Sequence, residues 1–259
     1  MITPKFSKLT KFLMAGCAVL FLTTASPVAF SEEFSESQKK EIGEIVREYL
    51  LKNPTIMREV FSELERIEAE EREKLAKAGI LESKDALFRS NLSYVAGNPE
   101  GDVTMVEFFD YNCGYCKRAF PDVMKLIDSD PNLRVVIKEF PILGAGSVFA
   151  ARAAIASKKQ DKYWEFHTAM MNARGSLNES RVINIAKKLG LDVDKLREDM
   201  EADVVRQEIA ESHTLANRMG INGTPAFVID DRLVPGALGY AELRKQIFEV
   251  RDAGGCKVC

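Results

Sequence analysis

The 259-residue chain lacks a glycine-rich nucleotide-binding loop, internal repeats and low-complexity segments, so no nucleotide site or repeat architecture is indicated. It also lacks a basic excess, with 36 Lys and Arg against 39 Asp and Glu. An acidic chain without a basic patch argues against nucleic acid as a partner. Histidine is scarce. His167 and His213 are the two in the chain, neither is near a cysteine in sequence, and both are expected to be structural or surface residues.

Long apolar runs are missing as well. The run Phe12–Leu22 is too short to span a bilayer securely, and three lysines precede it. Small residues and a cleavage site at 29–31 follow, so residues 1–31 are interpreted as a secretory signal peptide. A lipoprotein cleavage motif ending at Cys17 is the alternative. Removal of the signal peptide changes the net charge from −3 to −6. The signal peptide predicts export to the periplasm, a compartment that favours disulfides.

Only five cysteines occur, and without Cys17 they form two Cys-x-x-Cys pairs. The first, Cys113-Gly114-Tyr115-Cys116, follows a predicted buried strand at 103–109 and opens a predicted helix. Thiols at i and i+3 on the first turn can form a disulfide. Free N–H groups and the helix dipole lower the pKa of a thiol at this position from ~8.5 to roughly 3.5–7.5. The residues therefore favour Cys113 as the nucleophile of disulfide exchange.

Glu107 interrupts the apolar strand before this motif. A side chain directed into the core beneath the cysteines would have a raised pKa, and it could pass protons to and from the second thiol. The alternative is a glutamate at a strand edge that faces solvent.

A second element, Gly223-Thr224-Pro225, precedes a strand far downstream. A proline that opens a strand predicts a cis Thr224–Pro225 bond. Cys-x-x-Cys alone is also typical of zinc sites, and the combination with this proline favours redox chemistry.

The order of strand, Cys-x-x-Cys, helix, helical insert and Gly-Thr-Pro resembles the DsbA-like branch of thioredoxin-fold thiol oxidoreductases, from about Asp102 to Phe248. The resemblance implies an α/β thioredoxin fold with an inserted helical subdomain. It also implies that Cys113 attacks, that Cys116 resolves, and that Thr224 and Pro225 lie beside them.

Gly114, Tyr115, Thr224 and Pro225 are then expected to contact the substrate. A membrane redox partner would recharge the site. The dipeptide Gly-Tyr is similar to the DsbC-type isomerase motif rather than to the Pro-His of strong oxidants, so the direction of catalysis stays open.

Residues 32–90 are predicted to be a helical segment and linker, opened by a capping box of Ser35 and Gln38. An apolar stripe on helices without their own core requires a partner surface. The stripe comprises Ile42, Ile45, Val46, Tyr49, Leu50, Met57, Val60, Leu64 and Ile67. Packing on the chain's own catalytic domain is one interpretation. Self-association as a dimer or trimer is favoured, because Tyr49-Leu50 before Asn53-Pro54 resembles the oligomerisation segment of ScsC-like members.

The catalytic domain is predicted over 91–251, with a βαβ unit, a hairpin after the proline loop and a final helix. A helical insert is predicted at about 147–219. In it, Ser147 is expected to cap the first helix and 195–219 to form the last one.

The tail 252–259 is flexible by composition and carries the second pair, Cys256 and Cys259. A passive disulfide, an auxiliary redox pair that exchanges with Cys113–Cys116, and a copper or zinc ligand pair all stay open.

The main hypothesis is an exported thiol–disulfide oxidoreductase that forms or isomerises disulfides in unfolded or misoxidised exported proteins. It requires no organic cofactor, because sulfur carries the electrons, and no metal is assigned. The competing class is a non-catalytic copper- or zinc-binding periplasmic protein that uses its Cys-x-x-Cys pairs.

Overall fold

A computed structural model describes residues 34–259. The predicted signal peptide and the alternative motif at Cys17 lie outside these residues. The chain divides into two compact units, one ending at Arg58 and one spanning Glu59–Cys259. Within the described part of the chain, no helix is both long and apolar enough to cross a membrane.

The first unit contains helix α1 (Glu36–Lys52) and the start of α2 (Pro54–Glu82). The predicted capping box is present, because Ser35 Oγ accepts from the backbone of Gln38 and the Gln38 side chain accepts from the backbone of Ser35. No residue of α1 is buried. Apolar side chains exposed in this unit include Ile42, Ile45, Val46, Tyr49 and Met57.

The second unit begins within α2, and here Val60, Leu64 and Ile67 are exposed. Farther along, Ile80 of α2 and Phe88 of α3 (Lys84–Phe88) are fully buried against the sheet. The predicted domain boundary at residues 90 and 91 stays a prediction, and these two side chains before it belong to the core of the second unit.

The second unit is organised around a five-stranded sheet of order β1-β3-β2-β4-β5. The strands are β1 (Tyr94–Gly97), β2 (Val103–Phe109), β3 (Leu133–Glu139), β4 (Ala226–Ile229) and β5 (Arg232–Pro235). Strands β2 and β3 are parallel and are joined by helix α4 (Gly114–Ser129), which gives the predicted βαβ unit. Strand β4 is antiparallel to β2 and forms the predicted hairpin with β5.

Successive residues of β2 enter two different hydrophobic clusters on opposite faces of the sheet. Met105 and Phe109 pack in the larger cluster, which also contains Cys113 and Cys116. Val106 and Phe108 pack in the smaller cluster. This alternation sets the face on which each residue of β2 acts.

Further helices lie in the chain between β3 and β4, and one follows β5. They are α5 (Ala145–Ser157), α6 (Tyr163–Asn172), α7 (Glu179–Lys188), α8 (Val193–Asp199), α9 (Asp203–Arg218) and α10 (Tyr240–Asp252), with a short 3-10 turn at Lys158–Gln160.

Two predictions in the insert are wrong. Ser147 does not cap α5, because the helix begins at Ala145 after Gly144 and the buried Ser147 hydroxyl donates to Asp110 instead. The single helix predicted at 195–219 is two helices, α8 and α9. No glycine or proline marks the break, where the carbonyl of Met200 accepts from Arg152 at 3.0 Å.

Candidate active site

Cys113 occupies the N-cap of α4, directly after the loop that follows β2. Its Sγ accepts a hydrogen bond from the backbone N–H of Cys116 at 3.3 Å. Both cysteines are free thiols, with Cys113 7% exposed and Cys116 fully buried. The extended backbone of Cys113 aims its sulfur at the unpaired N–H groups of the helix end.

The pKa values of the two thiols are shifted in opposite directions. The pKa of Cys113 is lowered to about 5, mainly by a hydrogen bond from the Cys116 side chain, with further bonds from the helix backbone. Burial raises the pKa of Cys116 well above its ordinary value. At neutral pH Cys113 is therefore a thiolate and Cys116 a thiol, the asymmetry that an attacking and a resolving cysteine require.

The loop before β4 faces this sulfur. The Thr224–Pro225 peptide bond is cis, as predicted, and the carbonyl oxygen of Thr224 lies 3.2 Å from Cys113 Sγ. A groove of about 200 Å³ runs along the loop. Its lining includes Ile221, Gly223, Thr224, Pro225, Leu233 and Pro235.

Glu107 lies beneath the cysteines, on the same face of β2 as Met105 and Phe109. It is only 2% exposed, which rules out the solvent-facing alternative. Its Oε1 has no hydrogen-bond partner among the described residues. Burial, followed by the charge of Cys113, raises the pKa of Glu107 to about 8. A carboxyl group with this pKa can both release and accept a proton near neutral pH.

The DSBA-like thioredoxin domain family matches residues 104–248, which include both cysteines, Glu107 and the proline loop. The chain belongs to this family of DsbA-like thiol–disulfide oxidoreductases. Residues 38–71 match a second family, the copper resistance protein ScsC N-terminal domain. The predicted α/β thioredoxin fold with a helical insert and an ScsC-like N-terminal segment is thereby confirmed.

Solved structures agree with this assignment. A thioredoxin-like oxidoreductase from Silicibacter pomeroyi is 52% identical, covers 65% of this chain and 97% of its own, and has a TM-score of 0.64. ScsC from Proteus mirabilis is 30% identical, covers 83% and 96%, and has a TM-score of 0.62. A periplasmic thioredoxin-like protein from Salmonella enterica is 30% identical, covers 64% and 93%, and has a TM-score of 0.56.

Curated relatives extend beyond the matched region. Na⁺/H⁺ antiporter NhaA 1 of Salinispora arenicola is 33% identical over 152 residues, and the match spans 58% of this chain. This chain covers about a quarter of that antiporter's length, 23%.

Two residues of the DsbA-like site were missed by sequence reasoning. The buried carboxylate of Asp110 accepts from Ser147 Oγ at 2.7 Å and from the backbone N–H groups of Asn112, Ile142 and Leu143. The side chain of Asn112 bonds both backbone groups of Leu177. Asp and Asn in a turn before the motif were the available signal, since both types bond backbone groups. Together they tie the active-site loop to the helical insert.

The histidines lie on the two faces of the sheet. His167 is buried, and its Nδ1 is 3.0 Å from the hydroxyl of Tyr111. Burial lowers the pKa of His167 to about 3, so the ring is neutral. His213 packs edge-on against Phe140 at 4.8 Å between ring centroids. Among the described residues, neither ring forms a hydrogen bond with Cys113 or Cys116.

The second cysteine pair is a disulfide, Cys256–Cys259. With Asp230 it forms the one cluster of three His, Cys, Asp or Glu residues within residues 34–259 whose ligand atoms are close enough for a metal ion. Two sulfurs bonded to each other cannot act as thiolate ligands, so metal binding there requires prior reduction.

Proposed function

We propose that this chain is an exported thiol–disulfide oxidoreductase that rearranges or forms disulfides in unfolded or misoxidised proteins of the periplasm. The observation that carries the proposal is the position of Cys113. Its sulfur, with a pKa of about 5, lies at a helix N-terminus and 3.2 Å from the Thr224 carbonyl of the proline loop. A stabilised thiolate beside an open backbone edge is suited to attack a disulfide held by that edge.

In the proposed reaction, the Cys113 thiolate attacks one sulfur of a substrate disulfide, and the other substrate sulfur leaves as a thiolate. Cys116 then attacks Cys113 Sγ in the mixed disulfide. This step releases the substrate thiol and leaves Cys113–Cys116 oxidised, so the two steps reduce the substrate. Run in reverse from the Cys113–Cys116 disulfide, the same steps form a disulfide in a substrate dithiol. Cys116 must lose its proton on attack, and Glu107 is the buried base below it. In isomerisation, a substrate thiolate attacks the mixed disulfide instead, and Cys113 is released unchanged.

Substrate binding is assigned to the proline loop and to the residues between the cysteines. Thr224 and Pro225 present backbone beside Cys113, so an extended peptide can pair there. Gly114 adds no side chain to the approach, and the Tyr115 ring is 61% exposed, so it offers an apolar contact to the client. The groove is lined in part by the apolar side chains of Ile221, Leu233 and Pro235, which suits a flexible chain.

The N-terminal helices are proposed to join copies of the chain into a dimer or trimer. Their apolar stripe between Ile42 and Ile67 is exposed except for the partly buried Leu50, and the ScsC N-terminal match covers it. Linked catalytic domains raise the effective concentration of active sites around a client whose disulfides are being rearranged. Export, and a membrane redox partner that recharges Cys113–Cys116, belong to the same proposal.

The test compares the full-length mature protein with three variants. A truncated chain that begins at Arg72 keeps Ile80 and Phe88, which are part of the core. It should be monomeric and reduce insulin normally, but rescue scrambled multi-disulfide substrates poorly. The double substitution Leu64→Glu with Ile67→Glu should have the same effects as the truncation. Phe248 is an exposed apolar residue on α10, and Phe248→Glu should change neither the oligomeric state nor the rescue of scrambled substrates.

Light scattering that shows a full-length monomer would overturn the oligomer. If the truncated chain rescued scrambled substrates as well as the full chain, the oligomer would have no part in isomerisation. Absence of insulin reduction by every form would refute the oxidoreductase itself.

A further inference from the structure

The C-terminal tail is fixed to the turn between β4 and β5. After α10 the chain turns at Gly254 and Gly255 and places the Cys256–Cys259 disulfide against Asp230. Asp230 Oδ1 accepts from the backbone N–H groups of Lys257 at 2.8 Å and Val258 at 3.1 Å. Both cysteines are partly exposed, so another thiol can reach them.

This pair repeats the local geometry of the active site. The N–H of Cys259 lies 3.2 Å from Cys256 Sγ, and the N–H of Cys116 lies 3.3 Å from Cys113 Sγ. The difference is in the intervening N–H groups. In the tail the N–H groups of Lys257 and Val258 bond the Asp230 carboxylate, whereas among the described residues no carboxylate accepts from the N–H groups of Gly114 or Tyr115.

The carboxylate also acts on the sulfur directly. Asp230 Oδ1 lies 3.4 Å from Cys256 Sγ. A thiolate at Cys256 would meet this negative charge in a partly buried setting, so reduction of the tail disulfide is disfavoured. At Cys113 the thiolate is stabilised, and stabilisation of the reduced form makes a disulfide more oxidising.

The two pairs lie at opposite ends of the same strands. Cys113 follows the C-terminal end of β2, while Cys259 Sγ is 3.9 Å from the carbonyl of Thr104 near its start. Five residues of strand separate these ends by about 17 Å. The held tail of one chain therefore does not reach the Cys113 of that chain.

We infer that Cys256–Cys259 is a second redox-active pair with a lower reduction potential than Cys113–Cys116, and that its dithiol form is oxidised by the Cys113–Cys116 disulfide of a second copy. The inference rests on the proposed function. A tail thiolate attacks Cys113 Sγ of the second copy and displaces Cys116. The other tail thiol then attacks the mixed disulfide and releases the Cys113 thiolate. Two electrons pass to the active pair, one proton stays on Cys116 and one enters solvent.

Equilibrium with glutathione tests the difference in potential. Cys113→Ser with Cys116→Ser reports the tail pair, and Cys256→Ser with Cys259→Ser reports the active pair, each by mass spectrometry of alkylated thiols. The equilibrium constant for reduction should be at least about tenfold smaller for the tail, which corresponds to about 30 mV. Equal constants, or a larger constant for the tail, would overturn the inference.

Asp230→Asn tests the cause. Asn tolerates the positive φ of 53° at this position, so the turn is retained. The substitution should make the tail at least about threefold easier to reduce, because the carboxylate charge is removed. Asp231→Asn, which alters the neighbouring carboxylate paired with Lys77, is the matched control and should leave the tail unchanged. No change with Asp230→Asn, or an equal change with both, would refute the assigned role.

Direct transfer is the final test. The reduced chain that carries only the tail pair is mixed with the oxidised chain that carries only the active pair, and a dithiol peptide serves as reference substrate. Supporting results are tail oxidation, reduction of the active pair, and a rate above that with oxidised glutathione alone. Oxidation of the peptide without oxidation of the tail would refute the inference and leave the proposed function intact. Oxidation of neither the peptide nor the tail would refute both the inference and the proposed function.

Discussion

The two ends of the central sheet carry the same sequence motif in opposite chemical settings. At one end, β2 leads to Cys113 and the loop before β4 places Thr224 beside it. At the other end, β4 leads to Asp230, which holds the second pair. Both pairs have the same i to i+3 contact between N–H and sulfur. The motif therefore fixes the geometry of the two sulfurs, while the groups that surround each pair determine whether a thiolate is stable.

Each end of the sheet also has a carboxyl group, and the two differ in their hydrogen-bond partners. Glu107 is buried with one oxygen unpartnered, so burial raises its pKa to about 8 and it can hold a proton at neutral pH. Asp230 accepts two backbone N–H bonds, from Lys257 and Val258. A carboxyl group that can hold a proton therefore lies below Cys113 and Cys116, while a carboxyl group bound by backbone N–H groups lies beside the tail pair.

The greatest loss of activity is expected from substitution of Cys113, compared with Cys256 at the other end of the sheet. Cys113→Ser should reduce insulin reduction to the rate of the buffer thiol, because the serine hydroxyl is not ionised at neutral pH. Cys256→Ser should leave the rate within about twofold, since the tail pair lies about 17 Å away. Insulin turbidity measures both. Equal losses in the two variants would contradict the division of roles.

Much of the active end could be predicted from the chain because its signals are local. A buried strand, two cysteines at i and i+3, and a proline before a strand are patterns within a few residues. The capping box of Ser35 is equally local, and it is present. Glu107 was predicted to be buried because a charged residue interrupted an apolar strand.

Other features of the structure depend on contacts between residues that are distant in sequence. Ser147 has the residue type of a helix cap, but Asp110, 37 residues earlier, takes its hydroxyl. The tail is predicted to be flexible from Gly254 and Gly255, and in the structure its Lys257 N–H donates to Asp230, 27 residues earlier. Phe88 precedes the predicted domain and is buried in its core. No local pattern encodes which distant group completes a hydrogen bond or covers an apolar face.

Glu107→Gln tests the buried carboxyl of the active end through stability. The pKa of Glu107 is raised to about 8 in the folded state from 4.5, so the folded protein binds the proton more tightly than the unfolded protein. Wild-type stability should therefore fall as the pH rises from about 4.5 to 8, and the variant should lack this loss. Relative to wild type, the variant should gain about 3 kcal/mol in free energy of unfolding between about pH 5 and 7.5.

Urea unfolding of the reduced proteins at several pH values measures this difference. Asp231→Asn at the other end is the control, because its carboxylate is paired and lies near the surface. A stability difference for Glu107→Gln that did not change with pH would show that the carboxyl group is ionised in the folded state.

Cys116→Ala tests the source of the thiolate at Cys113. The Cys116 side chain is the main group that lowers the pKa of Cys113 to about 5, so its removal should raise the midpoint of Cys113 alkylation by about one pH unit or more. Reactivity increases with pH through the midpoint, because only the thiolate reacts. Cys116→Ser keeps a hydrogen-bond donor and should shift the midpoint less. Iodoacetamide reports Cys113 alone, since the tail sulfurs are bonded to each other. Equal shifts in the two variants would argue against the hydrogen bond.

The smallest expected effect comes from the residues between the cysteines. Tyr115→Val gives the active pair one residue of the tail motif, Val258. The Tyr115 ring is 61% exposed and packs under the Arg118 guanidinium at 4.1 Å. What Tyr115 contributes to lowering the pKa of Cys113 comes from its backbone, which valine retains. The alkylation midpoint should therefore move by no more than about 0.5 pH units, less than with Cys116→Ala. Reduction of insulin by the variant should fall only through weaker binding of the client, as a higher KM at unchanged kcat. A midpoint shift as large as that of Cys116→Ala would mean that the intervening side chains, rather than the surroundings of each pair, set the chemistry of the two ends.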